Sequence, residues 1–104
     1  MTRAEMDNDI LFVQLFDIYK GLLTDYQREL FNMRYFLDLS FAEIAVETGA
    51  SRQSAAGGIK KVKEKLLEYE KALGLKALYD ALDDFAEKRL SQEGRAALKE
   101  VLGR

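Results

Sequence analysis

Apolar residues recur at three- and four-residue intervals along almost the whole chain, and no stretch alternates cleanly between apolar and polar, so the pattern predicts an all-α fold. The first helix is predicted from about Asp9 to Leu23, with Leu11, Leu15, Ile18 and Leu22 in one row and Phe12, Phe16, Tyr19 and Leu23 in the next. At about 100° per residue these side chains span an arc of about 160°, wider than the stripe of an ordinary surface helix, so this helix should be covered on more than one side. Thr24 with Gln27, and Ser40 with Glu43, have capping-box spacing and start the second and third helices. Leu30, Met33, Arg34 and Leu37 mark the buried edge of the second, and Phe41, Ile44 and Ala45 that of the third. Gly49 sits where a helix ends at positive φ, and Ser51 is placed to cap a fourth helix. That helix keeps Ala55, Ile59, Val62, Leu66, Tyr69 and Leu73 on one face until Gly74. Leu75, Leu78, Tyr79, Leu82, Phe85 and Ala86 form a fifth amphipathic face, and Ser91 caps a sixth helix carrying Leu98, Val101 and Leu102.

With 104 residues, no internal repeat and no linker, the expected organisation is a single helical domain over 1–104, with a core over 9–73 and C-terminal helices over 75–103. An apolar content of 48% is enough to build a core. Absences then narrow the chemistry. There is no His, Cys, Trp or Pro, so Cys/His zinc sites, iron–sulfur clusters, thiol nucleophiles and Ser–His triads lack their residues. The close acidic pairs, Asp7/Asp9 and Asp83/Asp84, read as solvated surface, because general acid–base work needs carboxylates that converge on one substrate. Gly57-Gly58-Ile59-Lys60 lacks the spacing of a phosphate loop. No catalysis, metal or cofactor is expected. The N-terminal stretch resembles neither a signal peptide nor a membrane span, which points to a cytoplasmic protein without membrane insertion.

Charge singles out one segment. The net charge is −2, yet residues 1–50 carry four bases against nine acids, while residues 51–71 carry six bases against three. This cationic stretch follows a helix, the Gly49 turn and a second helix opening with Arg52 and Gln53, which is the arrangement of a helix-turn-helix with a small residue, Ala45, where the helices touch. Phe31, Tyr35, Phe36 and Phe41 read as core, with Tyr26 the exposed exception.

The chain from Asp9 to about Leu75 resembles the YlxM-type helix-turn-helix proteins, through its LLTDYQ segment at 22–27, the Ser40–Gly49–Ser51–Arg52–Gln53 series and the LxxYEKxLGL run at 66–75. The resemblance implies a bundle similar to region 4 of bacterial sigma factors, with a long recognition helix and added C-terminal helices. It also implies a regulatory role linked to the signal recognition particle pathway. In that setting Arg52 and Gln53 are the candidate base contacts, and Lys60, Lys61 and Lys63 the candidate phosphate contacts. Two partners stay open: DNA or structured RNA, bound weakly and in a salt-dependent way, or a component of the signal recognition particle pathway met by a module whose DNA readout has decayed. The second arises because Ala50, Ala55, Ala56, Gly57 and Gly58 stand where the family carries larger side chains. Two adjacent helical glycines cost about 0.8–1 kcal/mol each against alanine, so they mark either a decayed reading face or close approach of a partner. The wide first-helix arc and two C-terminal amphipathic helices predict a homodimer.

Overall fold

The computed structural model describes residues 3–103, and every regular element among them is helical. They form α1 (Arg3–Tyr19), α2 (Asp25–Phe31), α3 (Phe41–Thr48), α4 (Arg52–Leu73), α5 (Leu75–Arg89) and α6 (Gln92–Leu102). The chain gathers into two compact units, one running to Leu73 and the other starting at Gly74. The side chain of Asp7, like residues 1, 2 and 104, lies outside what is described.

In the first unit α4 is the spine on which α1, α2 and α3 all pack. α1 begins at Arg3 instead of Asp9, since nothing in its first turns breaks a helix and a start inferred from apolar periodicity misses a polar opening. It ends at Tyr19, and Lys20–Leu22 form a single 3-10 turn. The Arg28 guanidinium donates to the carbonyls of Lys20 at 3.0 Å and Leu23 at 2.7 Å, satisfying acceptors that the tightened helix end leaves open. The turn carries Leu22 out to solvent, contrary to its predicted row, while Leu23 stays buried. Phe12, Leu15, Phe16 and Tyr19 form the buried part of α1.

α2 starts at the predicted Thr24–Gln27 capping box and runs into a π turn over Asn32–Phe36, closed by the Leu37 N–H donating to the Asn32 carbonyl at 3.0 Å. One extra residue in a turn rotates the chain beyond it by about 100° from α-helical register. Leu37, predicted on the buried edge, is therefore 64% exposed, and Phe36, predicted as core, is exposed as well. Phe36 still packs edgewise on Phe31, which stacks between Phe16 at 4.1 Å and Tyr35 at 4.3 Å. Asp38 then takes a left-handed φ of 54°, and the Arg34 guanidinium donates to the Leu39 carbonyl at 3.0 Å, tying the loop to the helix it leaves.

The helix-turn-helix is built as its caps predict. The Ser40 hydroxyl accepts from the Glu43 N–H, the Glu43 carboxylate accepts from the Ser40 N–H, and Gly49 turns the chain at φ 74°. Ser51 accepts from the Ser54 N–H at 3.0 Å to open α4. Leu30, Ile44, Ala55 and Ile59 form the core between these helices. Gly58 belongs to the same contact: a Cβ there would lie 2.7 Å from Cδ1 of the buried Leu30. The two glycines are thus unlike, because the space around Gly57 is open.

Toward its C-terminal end α4 is held where the Tyr19 hydroxyl donates to Glu70 at 2.6 Å and the Tyr69 hydroxyl to the Leu22 carbonyl at 3.3 Å. Leu73 lies beyond these bonds and is exposed in place of the predicted burial. In the second unit Gly74 at φ 63° opens α5, and Ser91 caps α6 through the Gly94 N–H at 3.2 Å. Ala86 is its only buried residue among those described, whereas Leu78, Phe85 and Val101, all predicted on apolar faces, are exposed, Val101 by 83%.

Candidate nucleic-acid interface

The first twelve residues of α4, 52–63, contain four cations and no acid, and three glutamates follow within 64–70. Arg52, Gln53, Lys60 and Lys61 are exposed. Lys63 is half-buried, with its ammonium 4.8 Å from the centroid of the Phe12 ring. With the buried Ala55, Ile59, Val62 and Leu66 taken as the inward direction, about 100° per residue points Gln53, Gly57, Lys60 and Glu64 outward, within about 60° of one another. Arg52 and Lys63 share one flank, roughly 16 Å apart along the axis, and Lys61 lies on the other. The five candidates therefore do not form a single patch. Gln53 and Lys60 share the outward face, Lys63 turns toward α1, and Lys61 turns away from both.

Small residues separate Gln53 from Lys60. A methyl and a hydrogen, at Ala56 and Gly57, leave the helix backbone open to a macromolecule lying along it. The preceding helix contributes the opposite charge. α3 exposes Glu43 and Glu47 beside Val46, which is 81% exposed. The backbone N–H of Ser40, and then its hydroxyl, hold the Glu43 carboxyl below the usual carboxylate range, so it is ionised wherever the fold is formed near neutral pH. In a helix-turn-helix the first helix crosses the nucleic-acid backbone, and two carboxylates there repel phosphate. α4 supplies the attraction alone.

Lys63 also lines an open groove of about 430 Å³ together with Arg34, Tyr35 and Phe41. None of those last three carries a signal in sequence, because their grouping depends on the π turn. Among the described residues no set of three or more His, Cys, Asp or Glu side chains is placed to hold a metal ion. No helix there is long and apolar enough to cross a membrane.

The model of a family described as "UPF0122: Putative helix-turn-helix protein, YlxM / p13 like" matches residues 6–101. A UPF0122 protein of Halalkalibacterium halodurans is 35% identical over 104 residues, covering 93% of this chain and 95% of that relative. One from Ureaplasma urealyticum serovar 10 is 49% identical over 61 residues, or 59% of this chain. One from Caldanaerobacter subterraneus subsp. tengcongensis is 44% identical over 71 residues, or 67% of this chain. These two matches span 62% and 61% of the relatives' own lengths.

Proposed function

The chain belongs to the UPF0122 family of YlxM/p13-like helix-turn-helix proteins, and from that premise we propose that it is a regulatory nucleic-acid-binding protein of the signal recognition particle pathway. It acts in the cytoplasm by binding, not by catalysis. The observation that carries this reading is the acid-free first half of α4, with Arg52, Lys60, Lys61 and Lys63 on a protein that is acidic elsewhere. Lys60 and Lys61 meet phosphates, Lys63 meets them from the flank, and Arg52 with Gln53 reaches the base edges. Affinity is weak and falls with salt.

A salt titration on a duplex tests it. Three phosphate contacts give a log–log slope of about −3, and changing Lys60 and Lys61 to Ala should flatten it by up to ~2. Arg52→Ala should alter sequence preference and leave the slope within about one unit of the parent. No binding to duplex DNA or structured RNA at low salt would refute the reading.

The second reading is a module that meets a protein or structured-RNA component of the same pathway, its DNA readout lost. The acidic face of α3 favours its protein form, and the bare Ala56–Gly57 surface suits close approach of either partner. Under that reading Gly57→Ala keeps the fold and damages the interaction, because a methyl set into a packed contact displaces the partner. A homodimer built on α1 and the C-terminal helices accompanies either reading, supported by the exposed Leu78, Phe85 and Val101.

A further inference from the structure

The groove beside Lys63 has a composition that duplex binding does not use. Its volume of about 430 Å³ is within the range of small-ligand sites, about 300–1,000 Å³. Val13 and Ile59 contribute apolar floor. One wall holds two aromatic rings and a guanidinium: Tyr35, Phe41 and Arg34, whose guanidinium carbon lies 4.4 Å from the Phe41 ring centroid. Asp9 and Asp38 add two acceptors, and Lys63 adds a cation. Among the described residues neither of these carboxylates and neither of these cations has a salt-bridge partner. Burial, and after it the charge of Asp9, raise the Tyr35 phenol above its ordinary value against the opposing pull of Arg34, so the hydroxyl keeps its proton as a donor.

An apolar floor, flat π surfaces, acceptors for amino groups and a cation for phosphate together match a nucleotide. An aliphatic side chain would leave the two carboxylates unanswered, and an anion alone would face Asp9 and Asp38. Location adds a second argument. Lys63 lies about one turn beyond Lys60 and about 60° around α4 and itself lines the groove, so a strand held at Lys60 has the groove within reach. We propose that this groove takes the base of an unpaired nucleotide, stacked against Arg34, Tyr35 and Phe41, while Lys63 and Lys60 hold the phosphates on either side. The proposal rests on the nucleic-acid reading above and sharpens it: the preferred partner is single-stranded or looped, because a base within a duplex cannot enter.

The experiment titrates the full chain, labelled with nitrogen-15, with adenosine monophosphate, a riboadenylate octamer and a blunt RNA duplex of matched length. The octamer should shift the amides of residues 9–14, 34–41 and 63 and bind at least tenfold tighter than the mononucleotide. Gln14→Glu, at an exposed position on the groove, should weaken the octamer at least fivefold and leave the duplex unchanged. Phe41→Leu should do the same through lost stacking, and Lys60→Ala should weaken both ligands. Equal affinity for mononucleotide and octamer, with the same amides moving, would support the groove and make a free nucleotide its ligand. If no groove amide moves, or if both groove variants weaken octamer and duplex alike, the proposal is overturned, and a protein segment becomes the occupant to seek. In that event a duplex still weakened by Lys60→Ala leaves the wider nucleic-acid reading standing, whereas absence of all binding removes both.

Discussion

Gly57 and Gly58 are neighbours in the chain with opposite consequences. At Gly57 an added methyl meets nothing within 4 Å, so Gly57→Ala should stabilise the fold by about 0.8–1 kcal/mol through helix propensity alone. At Gly58 the same methyl arrives 2.7 Å from Cδ1 of Leu30, and the buried Leu30 must turn aside in a filled core. That repacking offsets the propensity gain, and Gly58→Ala should be the less stable of the two by about 1–3 kcal/mol. Thermal or urea unfolding of both variants decides this; equal stabilisation would mean that α2 does not approach α4 so closely. Glu43 supplies a prediction in pH. Its folded carboxyl titrates below the ordinary range because Ser40 donates to its charged form, so it adds stability that is complete above the unfolded carboxyl value and lost as pH falls through the folded one. Glu43→Gln should therefore be less stable than the parent near neutral pH and approach it in acid. A gap between the two that stays constant down to about pH 3 would contradict this.

At the scale of elements, the π turn decides which side chains of the second helical segment matter. Leu30 lies before it, buried against Ile44, Ala55 and Ile59, and Leu30→Ala should cost about 2–5 kcal/mol. Leu37 lies after it and faces solvent, so Leu37→Ser should stay within about 0.5 kcal/mol of the parent. An α-helical continuation through residue 37 would bury Leu37 and make its replacement by Ser costly as well, so the cost at Leu37, with Leu30 as the reference, measures the turn by denaturant unfolding. The turn also places Arg34, Tyr35 and Phe41 along one groove, so element geometry and candidate ligand site have a common cause. The helix-turn-helix that follows was legible in the residues, because Ser40, Glu43, Gly49 and Ser51 act within their own turns.

At the scale of the whole molecule, the second unit leaves apolar side chains uncovered. The α5–α6 pair buries Ala86 alone among its described residues and exposes Leu78, Phe85 and Val101. Few apolar contacts leave a helical pair little to set against its ordering entropy. A second copy would cover these side chains, and sedimentation at tens of micromolar should then report twice the chain mass of 11.9 kDa. Phe85→Glu with Val101→Glu should return it to a monomer without unfolding the first unit. A monomeric parent at that concentration would exclude the dimer.

The local part of the structure was determined by the sequence itself. Both capping boxes, the positive-φ glycines at 49 and 74, the Ser51 and Ser91 caps and the span of α4 follow from hydrogen bonds and backbone angles that close within three or four residues. Tertiary structure decided the rest, because it depends on residues distant in the chain. Leu22 and Leu37 turn outward because a 3-10 turn and a π turn stand where periodicity continues an α-helix. Gly58 became a packing residue only when Leu30 was brought against it. Helix periodicity alone sets Lys63 on the flank of α4, but the contact it makes there, with a Phe12 ring 51 residues earlier in the chain, is one that no local pattern records.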